Sequence, residues 1–95
     1  MPVYLVAQIN IHDRETYAKY GSAFMDIFNP YGGKLLSVEE APEVLEGEWG
    51  YTRTVLPEFP SEELAHAWYG SADYQAIAQH RLAASTANLA LIRGR

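Results

Sequence analysis

The chain has 95 residues, no cysteine, a formal net charge of −5 and a pI of about 5.0. That length holds one domain, residues 1–95, with no room for a second core. The acidity and the scatter of its seven Lys and Arg residues argue against nucleic acid and anionic membranes as partners, and the lack of cysteine excludes disulfides and thiolate metal sites.

The opening "MPVYLVAQIN" has no basic region ahead of its apolar run, so it reads as a strand rather than a signal peptide, in a soluble, cytoplasmic protein. "VYLVAQINI" (Val3–Ile11) alternates. Val3, Leu5, Ala7, Ile9 and Ile11 make one wholly apolar face, while Tyr4, Val6, Gln8 and Asn10 make a mixed one. Asp13 then offers an N-cap, and from Arg14 onward Tyr17, Tyr20, Phe24, Ile27 and Phe28 form one helical stripe. Gly21 lies beside that stripe, where a missing side chain is expected to let the helix approach a sheet closely. Pro30 and Gly32-Gly33 end the helix.

A second strand is expected over Lys34–Glu40, then Pro42, the short run "EVLEG" and a loop carrying Trp49. A third strand spans Thr52–Phe59. Ser61 caps a short helix with Glu62 and Glu63 in its first turn, favourable against the helix dipole. Gly70-Ser71 interrupts it, a further helix runs over 72–84, and Thr86–Gly94 closes as a last strand.

The order β-α-β, β-α-β predicts an α+β, ferredoxin-like βαββαβ sandwich: a four-stranded antiparallel sheet with helices on one face. The other sheet face, with Tyr4, Val6, Gln8 and Asn10, would be greasy if left bare. Packed against a twofold mate it becomes the inside of a dimeric α/β barrel, so a homodimer is expected. Pro57 falls in a strand this topology makes central, where it cannot donate to the ladder. A bulge there, or an early end to the strand, is the expected resolution.

The segments "GGKLL" (32–36), "EVLEGEW" (43–49), "EFPS" (58–61) and "AWYGSADYQ" (67–75), with Arg81 and the closing strand, resemble the domain-of-unknown-function 1330 family, of the dimeric α/β-barrel class. The resemblance covers essentially the whole chain. It implies a ferredoxin-like fold and a homodimer with facing sheets, and it implies no reaction. Related barrel families include cofactor-free monooxygenases, haem proteins and small-molecule lyases. The chain departs from the family pattern where Tyr31 replaces a common His before the two glycines. It departs again where Val38-Glu39-Glu40 replaces a common Arg-Gly-Gly.

His12, His66 and His80 show no i, i+4 pairing, so no metal site is expected, and no cofactor. No phosphate-cradling glycine loop or nucleophile elbow is visible. Arg81 falls in the middle of the apolar side of the last helix. A guanidinium there pairs with Glu58 or the helix's C-terminal carbonyls, or it anchors a carboxylate or enolate of a bound small molecule. His80, on the flank of that helix, and Glu58 are candidate proton carriers beside it. Gln8 and Asn10 on the mixed sheet face are candidate ligand-orienting groups or members of a dimer-interface network. Trp68 and Tyr74 read as core and Tyr69 as the edge of the stripe. Trp49 is the candidate pocket wall or dimer contact.

Two functions remain open on this reading. One is an enzyme or binder handling a small anionic or aromatic organic molecule in a cleft between helices and sheet. The other is a non-catalytic dimeric binding or assembly module.

Overall fold

A computed structural model of the protein describes residues 2–95. Strand β1 (Val3–Ile11) leads to α1 (Arg14–Phe28) and a short 3-10 turn at Asn29–Tyr31, then β2 (Lys34–Glu39) and β3 (Arg53–Phe59). Helices α2 (Glu62–Tyr69) and α3 (Ala72–Ala84) follow, and β4 (Ser85–Arg93) closes the chain. The sheet order is β2-β3-β1-β4, antiparallel throughout, the ferredoxin-like arrangement. Element bounds fall within one residue of the sequence expectation.

Each helix starts on a side chain that satisfies an otherwise orphaned backbone N–H. Asp13 accepts from the Thr16 amide at 3.1 Å and from the Thr16 hydroxyl at 2.7 Å. Ser61 caps α2 through the Leu64 amide, and Ser71 caps α3 through the Tyr74 amide. The end of α3 is tied to the start of α1, because the His12 and Asp13 amides both donate to the Ala84 carbonyl. Two adjacent glycines shape the exit from α1. Gly32 adopts φ 74°, and a Cβ on Gly33 would lie 2.4 Å from the Phe28 ring.

The alternation in β1 is realised as drawn. Val3, Leu5, Ala7 and Ile9 are buried under the helices, while Tyr4, Val6, Gln8 and Asn10 are half-buried on the outer face. The register carries this parity across the sheet. Phe59, Pro57, Val55 and Arg53 face the helices, whereas Glu58, Leu56 and Thr54 face outward. Pro57 is accommodated by a bulge in its neighbour: β2 pairs Leu35 with Pro57 and Ser37 with Leu56, leaving Leu36 as the extra residue.

The core is aromatic. Phe28, Phe59, Trp68 and Tyr74 are the largest fully buried side chains, and the Trp68 and Tyr74 rings have centroids 4.1 Å apart. Phe28 meets both Phe59 and Trp68 edge-on, at 5.2 and 5.8 Å, within the range in which such pairs add to area burial. The Trp68 Nε1 is a buried donor without a hydrogen-bond partner among the described residues. The whole Cα envelope is only 15 Å thick, which is one sheet and one helix layer. No helix among the described residues is long and apolar enough to cross a membrane.

Gly21 departs from expectation. A Cβ placed there meets nothing within 4 Å, so close approach to the sheet is not what the glycine provides.

Candidate functional site: an aromatic cleft with two inward arginines

Helix α1 presents two stripes. Tyr17, Tyr20 and Phe28 are buried against the core, while Gly21 and Met25 together with the cleft-facing sides of Tyr17, Tyr20 and Phe24 border a cleft between α1 and the inner face of β2 and β3. The cleft has a volume of about 180 Å³ and runs from Leu35 and Val38 at its outer edge to Trp68, Tyr74 and Arg81 at its inner end. Every residue of β2 is exposed, so this side of the sheet is left uncovered by the helices and the cleft stays open.

Its walls are almost wholly apolar, and the exceptions are arranged in a row. Tyr17 and Tyr20 lie with ring centroids 5.4 Å apart. The Arg53 guanidinium sits over the Tyr17 ring at 5.2 Å and that of Arg81 over the Tyr20 ring at 5.7 Å, both within cation–π range. The Tyr20 and Tyr74 hydroxyls are hydrogen-bonded at 3.0 Å.

The two arginines differ in their counter-charge. Arg53 donates through Nε to Glu40 at 2.9 Å and is neutralised there. Arg81 is 8% exposed and makes no ion pair with a carboxylate among the described residues. Burial disfavours its charged form, but the oxygens of Tyr74 and Tyr20 outweigh that and keep the guanidinium cationic. Burial, reinforced at Tyr20 by its partner Tyr74, pushes the Tyr17 and Tyr20 phenols above the ordinary tyrosine value. Both therefore stay neutral. The inner end of the cleft is thus a permanent positive charge beside neutral hydroxyls, in an apolar enclosure where electrostatic attraction is strong.

Residues 2–95 match the DUF1330 family, described as a domain of unknown function. The chain belongs to that family. No curated protein matches this DUF1330 sequence. Solved structures match it in fold. A protein of unknown function from Rhodopseudomonas palustris is 20% identical with a TM-score of 0.84, over 99% of this chain and 82% of that one. A mutant of SnoaB, a cofactor-independent oxygenase from Streptomyces nogalater, is 14% identical with a TM-score of 0.72, over 99% and 93%. A dimeric ferredoxin-like protein of unknown function from Jannaschia sp. CCS1 is 13% identical with a TM-score of 0.70, over 99% and 100%. At these identities the likeness establishes the ferredoxin-like fold.

The residues singled out in the sequence fall in two places in this DUF1330 protein. Arg81 lines the cleft. Gln8, Asn10 and Glu58 stand on the opposite face of the sheet and cannot orient a ligand held by Arg81. For the same reason Glu58 is not the partner of Arg81. His80 is half-buried on the flank of α3 and does not line the cleft. The C-terminal carbonyls of α3 have other partners: Ser85 Oγ donates to the Arg81 carbonyl at 2.6 Å, and Ala84 accepts the two amides named above.

Trp49 joins the outer-face group. Its Nε1 donates to Thr54 Oγ1 at 2.9 Å, and Thr54 and Asn88 flank Gln8 across the sheet. Asn10 accepts from the Thr52 amide and so holds the start of β3. Trp68 and Tyr74 are core, as their spacing implies, and also floor the cleft. Sequence reading missed Arg53, Tyr17 and Tyr20 as cleft residues. The signal for Arg53 was its strand parity, shared with the inward-facing Val55, Pro57 and Phe59.

Proposed function

We propose that this chain forms a cytoplasmic homodimer, each subunit of which binds a small, flat organic anion in the cleft. The anionic oxygen faces Arg81 and the hydrophobic body lies among Tyr17, Tyr20, Phe24 and Val55. The observation that carries this reading is the buried, unneutralised guanidinium at the inner end of an open aromatic cleft. A bound carboxylate or enolate supplies the counter-charge that the described residues do not.

The cleft favours binding over turnover. Its polar side chains are tyrosines and arginines, and among the described residues neither His nor carboxylate lines it. Burial holds the Tyr17 and Tyr20 phenols neutral and the Arg81 guanidinium stays charged, so none of these three groups is a base near neutral pH. The fold likeness to a cofactor-independent oxygenase is compatible with a reactive ligand, but any proton must leave through water or through the ligand itself.

The outer face supports the dimeric part of the reading. Val6, Leu56, Ala90 and Ile92 share it with Gln8, Asn88 and Thr54, a mixed apolar and polar surface suited to a twofold mate. The Jannaschia protein described as dimeric shares this fold. A non-catalytic assembly role rests on the same face, since Gln8, Asn10 and Trp49 gather there and not in the cleft.

Native mass spectrometry of protein purified without added ligand tests both halves. A dimer with one reproducible small acidic adduct per subunit is expected. A bare monomer that also fails to take up aromatic acids would overturn the proposal.

A further inference from the structure

Gly21 occupies the middle of α1, where glycine is the least favourable residue after proline, and no packing contact accounts for it. It is exposed and has a positive-φ requirement no more than its helical neighbours do. Its Cα nonetheless lies at a particular place. It borders the aromatic cleft on one side. On the other it borders a surface depression of about 310 Å³ lined by Arg14, Ala18, Ser22 and Ile11. Tyr17 and Arg53 are the other two residues shared by both concavities. The wall between depression and cleft is therefore thin here, and it is made of one absent side chain between two large ones.

Both flanks of this gap are held in place. Tyr17 is buried under the Arg53 guanidinium, and Arg53 is fixed from the solvent side by Glu40. Glu40 belongs to the acidic Val38-Glu39-Glu40 stretch, which the cleft's other residues leave unexplained. On the far side, Met25, Leu35 and Val38 are exposed apolar side chains at the cleft's outer edge. An apolar ligand meets greasy surface there before it reaches the buried charge of Arg81.

We infer that Gly21 is the mouth of the cleft: the open space over its Cα, framed by Tyr17 with the Glu40-braced Arg53 on one side and Met25 on the other, is where the ligand enters. The inference rests on the cleft being a binding site. It adds what the binding reading does not require, that a residue with no side chain at the rim of the cleft sets the rate at which ligand arrives. It also accounts for the glycine: a side chain would strengthen the helix and narrow the opening.

Stopped-flow fluorescence with naphthoate, a flat aromatic carboxylate, separates the possibilities, using wild type, Gly21→Ala and Gly21→Leu beside thermal melts. Gly21→Ala is expected to raise Tm by about 4–8 °C, as replacing a helical glycine does in a domain of this size. Gly21→Leu is expected to take up naphthoate at least about tenfold more slowly, with release slowed in parallel so that affinity moves much less. Gly21→Ala is expected to show the same kinetic effect in smaller degree, which keeps the test in force should the leucine variant misfold. Association at the wild-type rate in both variants, with naphthoate binding intact, overturns the mouth alone. Wild-type protein that takes up no naphthoate overturns the binding reading and the mouth with it.

Discussion

The hydroxyls of Tyr20 and Tyr74, residues 54 positions apart, meet at 3.0 Å beside the Arg81 guanidinium. This contact joins α1 to α3 at the inner end of the cleft, so it supports the helix layer and sets the polarity of the site. Removing either hydroxyl leaves the other buried without its partner. Tyr20→Phe and Tyr74→Phe are each expected to cost about 1–3 kcal/mol, and the double variant less than their sum, in denaturant melts analysed as a double-mutant cycle. Strict additivity would mean that the pair is not coupled.

The same burial predicts a loss of stability in alkali. Tyr20 is raised above its ordinary 10.0 by burial, its neighbour Tyr74 adding to the effect. The unfolded chain releases this proton near pH 10 while the native state keeps it. The contribution is therefore complete below pH 10 and declines as pH rises from there toward the native value. Tm measured against pH is expected to fall more steeply above pH 10 in wild type than in Tyr20→Phe. Equal slopes would contradict the assignment.

Gly33 and Gly21 should respond in opposite directions to alanine. A Cβ at Gly33 meets the Phe28 ring at 2.4 Å, and Phe28 is fully buried among Phe59 and Trp68 and cannot retreat. Gly33→Ala is expected to destabilise by about 1–3 kcal/mol through overpacking, whereas Gly21→Ala stabilises. Thermal melts of the two variants side by side check both signs.

Most of the architecture was legible from sequence because strand parity and helical spacing were clean. In β1 the apolar and mixed faces fall where the alternation puts them, and α1 and α2 start on the Asp13 and Ser61 that read as caps, while Ser71, which reads only as an interruption, caps α3. The site was only half legible. Arg81 stood out because a charge in the middle of an apolar helical stripe needs an explanation. Arg53 carries the same signal on a strand, yet it sits at the strand's first residue, where parity is hard to assign without a register. On sequence alone Gln8, Asn10 and Glu58 group with Arg81 because they are polar positions on a sheet. Which face of the sheet borders a cavity depends on where the helices leave β2 uncovered, and that is a matter of packing that no local pattern encodes.

The outer face carries its own test. Val6 lies beside Ala90 in the centre of that surface, next to the exposed Ile92. Val6→Asp places a like charge on both subunits of a twofold interface, and the dimer dissociation constant is expected to rise by at least about tenfold, with the fold retained. Light scattering across a dilution series with circular dichroism reads both. A dimer unmoved by the substitution would place the interface elsewhere on the molecule.

The central claim is that Arg81 holds the anion. Calorimetric titration of wild type, Arg81→Lys and Arg81→Met with naphthoate, and of wild type with uncharged methylnaphthalene, tests it most directly. Wild type is expected to bind naphthoate and to prefer it over methylnaphthalene. Arg81→Met should lose about 2–4 kcal/mol of naphthoate binding while keeping its affinity for the neutral ring, and Arg81→Lys should fall between. Naphthoate binding undiminished in a folded Arg81→Met would contradict the account, because the buried charge would then serve only the core.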